Sequence, residues 1–423
     1  MGAEHAQEFY KTQDELQQCP SADPQPAAQP GFNDSQIDHA DADVWVGHAA
    51  TLDNSTPYGR RDVLKAGALI AGGSLIYSIA SPPSEQHHSS RAIERGTNAA
   101  PGVPSMSAVH VVRFEFENGI HWGVLRQDRI TVVPGIFETT GDFISQNSID
   151  DLAQLNGTQL EAHKVKLLSP VTRNQQFVCQ GANYRQHMIE SGMDPDAKKY
   201  NMMFTKATSC LVAADSVLIK PRTVRFLDYE IELGLVMKRA ITGAVSVTDA
   251  NLHEFIAGVV IVNDYSARDI QIPQMQFYKG KSFRTFGPVG PYLCLLDAQD
   301  MHYLKALQLR LTVNGEVRQS DSTANLVYGP AETLTELSSV QDLAPGDLIA
   351  TGTPAGCALT IPSPAKQRIV ALMPEATKWK LFLKAQEGRS QYLKPGDVVE
   401  ARIRSADGVV DLGVQRNRVV EEA

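Results

Sequence analysis

The run Asp228-Tyr229-Glu230-Ile231-Glu232-Leu233-Gly234-Leu235-Val236 alternates acidic and apolar side chains at the period of a β-strand. Alternate side chains of a strand share a face, so Glu230 and Glu232 project together roughly 7 Å apart while Ile231 and Leu233 point into a core. Two carboxylates on one face are ordinarily a solvated strand face. Here a second apolar run, Val259 to Val262, ends in Asn263-Asp264-Tyr265 and sets a third acidic group at a strand end. Three carboxylates brought together repel unless one is protonated or a cation bridges them. All-oxygen ligation then selects a hard divalent ion, Mg²⁺ first, Mn²⁺ or Ca²⁺ next, and not zinc.

Three further groups have chemical potential. His187 and Glu190 stand at i and i+3 of a short helical pattern, where a carboxylate orients an imidazole and raises its basicity; alone, such a pair is more often a surface pair. The Gly/Asp/Pro-punctuated stretch after them, 191–200, has the character of a lid. Lys281, beside Gly280, offers an ammonium to a developing enolate or a carboxylate, against the plain reading of a solvated lysine; glycine there lets backbone approach a ligand. Gly352-Thr353-Pro354-Ala355-Gly356 follows an apolar strand and is either a tight turn or a backbone-plus-hydroxyl anion site.

The elements that would carry these groups are mostly strands. Val109 to Phe116 alternates at period two, turns at Asn118-Gly119 and continues through 121–125 and 130–133 as an antiparallel meander. With a helix over Phe143 to Leu155 and a strand at 166–168, it forms a small α+β module at 107–170. Beyond it, strand signals recur at 177–179, 216–219, 229–237, 258–263, 292–296, 309–313, 347–351 and 398–404, with helices around 182–191, 248–255 and 330–337. Long β-α alternation, G-x-G-x-x-G and G-x-S-x-G are all missing, which disfavours a doubly wound nucleotide fold and an α/β-hydrolase. The expectation is a mixed, β-dominated roll with peripheral helices over 171–423.

Six motifs together resemble the fumarylacetoacetate hydrolase family: 181–187 (GANYRQH), 228–233 (DYEIEL), 263–271 (NDYSARDIQ), 280–283 (GKSF), 352–356 (GTPAG) and 393–399 (LKPGDVV). The resemblance runs from about Phe177 to Val419 in the family's motif order. It implies a mixed β-roll catalytic domain, usually homodimeric, that binds Mg²⁺ and acts on acylpyruvates, β-diketo acids or related 2-oxo acids. It also implies Glu230, Glu232 and Asp264 as metal ligands and His187 with Glu190 as the water-activating pair. Lys281, Tyr184, Arg268, Gln271 and Thr353 correspond to residues that hold the substrate or assist catalysis. The expected reaction is metal-dependent hydrolysis of a C–C bond, with Lys281 stabilising the enolate. Decarboxylation, or hydration or isomerisation of a 2-oxo-dienoate, would use the same site; a non-catalytic exported binding protein is the alternative of a different class.

Two departures from the family pattern stand out. Arg284 occupies a place where many relatives carry an acidic residue, which favours an anionic substrate tail if the side chain points inward. An insertion at about 362–392 contains Trp379, Leu381, Phe382 and Leu383 among lysines and arginines. It supplies either extra packing and a dimer contact or a roof over the pocket.

Composition sets the outer limits. The chain has 423 residues, 43% apolar and 21% charged, the profile of a folded protein. Its net charge of −9 sits entirely in residues 1–57, which hold ten Asp/Glu against Lys11 alone; the remainder is neutral and lacks the basic stripe of a nucleic-acid partner. That leader is low in aliphatics and is expected to be disordered. Residues 58–83 (Arg60-Arg61, an uncharged run Ala66 to Ala80, then Pro82-Pro83) resemble a twin-arginine export signal, followed by a linker at 84–106. Export to the periplasm with no membrane anchor after processing is expected, or a cytoplasmic location if the leader is retained. The five scattered cysteines suggest neither a disulfide framework nor a zinc site.

Overall fold

In the computed structural model, residues 108–362, 366, 369–370 and 372–423 are described. The acidic leader, the twin-arginine-like segment and the linker through Met106 lie outside them, as does part of the insertion.

The chain begins with the expected meander. β1 (Val109–Phe116), β2 (Gly119–Arg126) and β3 (Arg129–Val132) pair antiparallel in register Val111 with Val124 and Gly123 with Val132. The first turn is made by Glu117 and Asn118, both at positive φ, with Gly119 already opening β2, the geometry that matches the twist of a two-residue hairpin. The helix expected over 143–155 is two short ones, α1 (Thr140–Gln146) and α2 (Ile149–Ala153). The break falls where the Ser148 hydroxyl accepts the Asp151 amide and starts a new helix. β4 (Gln159–Glu161) and β5 (Lys166–Leu168) complete this part.

Strands β6 (Phe177–Gly181), β7 (Met202–Thr205), β8 (Leu211–Ala213) and β9 (Val217–Lys220) follow, with helix α3 (Arg185–Glu190) between β6 and β7. Next come β10 (Leu227–Asp228), β11 (Ile231–Met237), β12 (Ile256–Asn263) and β13 (Ser266–Ala267), then helices α4 (Arg268–Gln274) and α5 (Phe277–Lys281). The rest is β14 (Gly287–Val289), β15 (Leu293–Leu295), β16 (Gln308–Val313), β17 (Glu316–Ser322), α6 (Pro330–Ser338), β18 (Leu348–Ala350), α7 (Glu375–Glu387), β19 (Val398–Arg404) and β20 (Asp411–Glu421).

The main sheet runs β4-β3-β2-β1-β15-β12-β11-β18-β6-β7, and β17-β16-β19-β20-β9 form a second sheet. Because β1 pairs with β15, the leading meander extends the central sheet rather than standing apart from it. This is the expected mixed, β-dominated architecture with few helices. β11 and β12 are buried along their whole length, as their near-continuous aliphatic runs require of strands covered on both faces. Residues 248–255 are not the expected helix. Asn251 Oδ1 accepts both the amide and the hydroxyl of Thr248, so a side-chain-bonded turn replaces the first helical turn and only Leu252–Glu254 winds as 3₁₀. Among the described residues no helix is long and apolar enough to cross a membrane.

Candidate functional site

The ladder between β11 and β12 brings the acidic groups together. Ile231 is registered with Asn263, the Asp264 amide donates to the Glu230 carbonyl at 2.8 Å, and Asn263 Oδ1 accepts the Glu230 amide at 3.0 Å. One oxygen from each of Glu230, Glu232 and Asp264 therefore falls within 4.8 Å of the others, all three residues being buried. A wet strand face is excluded. The hard, all-oxygen donor set suits a divalent cation of the Mg²⁺, Mn²⁺ or Ca²⁺ kind.

Basic side chains surround these oxygens. Lys281, at the end of α5, donates to Glu230 Oε2, to Asp264 Oδ2 at 2.5 Å and to Ser266 Oγ at 2.9 Å. It is not the solvated lysine of the bland reading. Arg268, opening α4, uses each guanidinium nitrogen once: Nε on Asp228 Oδ2 at 2.8 Å, Nη1 on Gln271 Oε1 at 2.8 Å, and Nη2 on Glu230 Oε1. Lys206, which no motif singled out, donates to Asp264 Oδ1 at 2.5 Å and to the Phe286 carbonyl at 2.8 Å. Four buried carboxylates (Asp228, Glu230, Glu232, Asp264) thus face three buried cations.

The charges differ in consequence. Burial alone would raise the Glu230 carboxyl, but Arg268 and Lys281 override it and hold the group well below the usual carboxylate range. Glu232 is pushed well above that range by burial, then by Asp264 and Glu230. Among the described residues it has no ion pair with a basic side chain; its Oε2 accepts the Gly352 amide at 2.9 Å. Burial would lower Lys206 and Lys281, and the Asp264 carboxylate reverses this in both.

The group that the Gly352-Thr353 loop holds is the chain's own Glu232 carboxyl. Gly352 takes φ +87°, and a Cβ there would lie 2.9 Å from the Asn183 Cβ, so the turn needs glycine. The Thr353 hydroxyl donates to the Ile231 carbonyl and accepts from Gln319 Nε2, both at 2.9 Å, which ties it into the protein. Gly280 likewise serves packing and not ligand approach: it lies within α5, where a Cβ would meet the Gln271 Cβ of α4 at 2.7 Å. Tyr184 is fully buried, its hydroxyl has no hydrogen-bond partner among the described residues, and burial raises its phenol.

His187 and Glu190 lie on α3 as expected, but no hydrogen bond joins them. Glu190 is exposed and accepts from Gln186 Nε2 at 3.4 Å. His187 is half-buried; burial lowers its pKa, against the attraction of Glu230. In the following stretch exposed ion pairs join Arg185 to Asp196 at 2.7 Å and Lys198 to Glu332 at 2.8 Å. Arg284 is exposed, so it does not point inward. Helix α7 carries Trp379 and Phe382 of the insertion. Trp379 Nε1 donates to Glu375 Oε1 of its own helix, and its ring meets Phe382 edge-on at 6.2 Å. Four cysteines, 179, 210, 294 and 357, are buried and unpaired.

Sequence comparison adds the family. The fumarylacetoacetate (FAA) hydrolase C-terminal model matches residues 176–420, and an Rv2993c-like N-terminal model matches residues 109–170. The chain belongs to the fumarylacetoacetate hydrolase family, whose members are enzymes that bind a divalent metal ion. It is similar to an oxaloacetate tautomerase of Bacillus subtilis, 37% identical over 205 residues, 48% of this chain and just under two thirds (66%) of that protein. A mitochondrial oxaloacetate tautomerase of Bos taurus is 34% identical over 263 residues, 60% of this chain and 79% of that one. Among solved structures, a fumarylacetoacetate hydrolase from Exiguobacterium antarcticum superposes with a TM-score of 0.56 at 28% identity, covering 74% of this chain and all of that one.

Proposed function

We propose that this chain is a divalent-metal-dependent enzyme that takes a 2-oxo dicarboxylate of the oxaloacetate type through its enolate and equilibrates the keto and enol forms. The observation that carries the reading is the convergence of Glu230, Glu232 and Asp264 next to the Lys281 ammonium, with a histidine biased towards its neutral form nearby. Both tautomerases named above support the choice of substrate class. A bound Mg²⁺ would act as a Lewis acid on the 2-oxo group. His187 takes the C3 proton, the C–H electron pair becomes the C2=C3 bond, the carbonyl pair moves onto oxygen, and the same proton returns to that oxygen. Lys281 and Arg268 stabilise the charge that develops there and on the substrate carboxylates.

Hydrolysis of an acylpyruvate C–C bond is the second reading, supported by the Exiguobacterium neighbour. It asks His187 to activate water, which the expected carboxylate partner Glu190 does not assist in the observed arrangement.

The test follows ultraviolet absorbance of freshly dissolved enol oxaloacetate with the full chain and Mg²⁺, and pyruvate release from acetylpyruvate in parallel. Accelerated enol decay without acetylpyruvate cleavage is expected; cleavage without accelerated decay replaces the first reading by the second. His187→Asn should lower kcat by about 10²–10⁴. Because burial lowers the His187 pKa, the neutral base is lost only as pH falls through a value below 6.5, so kcat/KM should be flat above that point and drop beneath it. A drop that persists in His187→Asn would place the base elsewhere.

A further inference from the structure

The insertion is hydrogen-bonded to the loop at 358–360, which is bonded in turn to Asp228. Gln386, buried near the end of α7, donates Nε2 to the Thr360 carbonyl at 3.1 Å, and Arg389 donates Nε to the Ala358 carbonyl at 2.6 Å. The same loop presents its amides the other way. Ala358 N reaches Asp228 Oδ1 at 2.7 Å and Leu359 N reaches Asp228 Oδ2 at 3.0 Å. Asp228 also accepts the Tyr229 amide at 2.9 Å and Arg268 Nε at 2.8 Å, and Arg268 Nη2 continues to Glu230. The returning chain closes on the same strand: Tyr392 Oη donates to Gln386 Oε1 at 2.7 Å, and the Leu393 amide donates to the Leu227 carbonyl at 2.9 Å.

We infer that Gln386 and Arg389 of the insertion are positioning residues for Arg268 and Glu230, acting through the Ala358-Leu359 amides and Asp228. Asp228 draws two of its four donors from this loop, so a loop released by the insertion leaves a buried carboxylate half satisfied. It then gives less direction to the guanidinium it holds. Outer partners of this kind change metal affinity by about 10–100-fold when removed directly, and these two residues sit one step further out. The inference rests on reading Arg268 and Glu230 as site residues.

The experiment compares the full chain with Gln386→Leu/Arg389→Met and with Arg389→Lys, by amide hydrogen exchange and by Mn²⁺ titration followed by electron paramagnetic resonance. In the double variant, exchange should quicken at least about tenfold at Ala358, Leu359 and also Tyr229, with β1 unchanged, and Mn²⁺ affinity should fall about three- to tenfold. Arg389→Lys keeps a donor to Ala358 and should leave both close to wild type. Quickened exchange confined to 356–361 and 386–390 with unaltered Mn²⁺ affinity overturns the inference, as does uniform quickening through β1. Should the wild-type chain bind no Mn²⁺ while Tyr229 still responds, the metal reading fails and the positioning chain stands.

Discussion

Glu232→Gln is expected to abolish activity, by at least about 10³-fold, and to weaken Mn²⁺ binding about 100-fold or more, while leaving the metal-free protein at least as stable as wild type. The asymmetry follows from the partners. Glu230 and Asp264 are each ion-paired with basic side chains, whereas among the described residues Glu232 has no ion pair and accepts the Gly352 amide, which a glutamine oxygen accepts equally well. Burial and the two neighbouring carboxylates raise the Glu232 carboxyl, so the folded metal-free state favours its neutral form. The sign is fixed by linkage. Below the unfolded-state carboxylate value both states are protonated; as pH rises above it, the unfolded chain releases the proton first, and the folded state loses ground until it too ionises. Glu232→Gln has no such loss, so its stability advantage should grow with pH above about 4.3 in the presence of chelator. Excess Mn²⁺ should raise the melting temperature of wild type by mass action and leave the variant unmoved. Glu230→Gln is the control with the opposite behaviour, because it strips Arg268 and Lys281 of a shared counter-charge and should cost about 3–5 kcal/mol. Urea unfolding with chelator and with Mn²⁺ separates the two; equal destabilisation by both substitutions would refute the account.

The acidic centre was legible because it rests on two local rules: side-chain parity within a strand, and the acidic residue that ends the next apolar strand. The same parity marks Asp228, two residues before Glu230, but nothing local says that its carboxylate faces Arg268 and the Ala358-Leu359 amides, which come from 40 to 131 residues away. Lys206 was illegible for a similar reason. It is a single lysine after Met202–Thr205, and only the pairing of β8 with β14, which sets that region beside Phe286, turns it into a buried partner of Asp264. Glycine misled in the other direction. At Gly280 it answers to the packing of two short helices, which residue type alone cannot distinguish from room left for a ligand. In the insertion, the hydrogen bonds of Gln386 and Arg389 to the Thr360 and Ala358 carbonyls had no local signal, since nothing in their residue types names a partner loop some 26 to 31 residues back.

Lys206→Met is expected to destabilise the protein by about 3–5 kcal/mol, the range for removing one member of a buried pair, and so to lower the melting temperature by roughly 5–10 °C. Its ammonium is sealed from solvent, bonded to Asp264 Oδ1 and the Phe286 carbonyl, and lies 5.4 Å over the Phe177 ring. Methionine would fill the stem's volume and leave a carbonyl and a carboxylate oxygen unanswered. Lys281→Met removes a cation from the other oxygen of the same carboxylate, yet the outcome should differ, because Asp264 keeps Lys206 and Glu230 keeps Arg268. Lys281→Met should therefore cost less stability and more activity, about 10²–10³ in kcat, since it deletes the positive charge beside the carboxylates where the enolate charge is proposed to develop. A double-mutant cycle with Asp264→Asn assigns the pairs: the Lys206 cycle, measured by urea unfolding, should show a coupling of at least about 1 kcal/mol, and neutralising Asp264 should recover part of the Lys206→Met loss. Additive losses in that cycle, or a Lys206→Met protein that melts like wild type, would mean that Asp264 is held by Lys281 alone and that the two lysines do not divide the work of structure and chemistry between them.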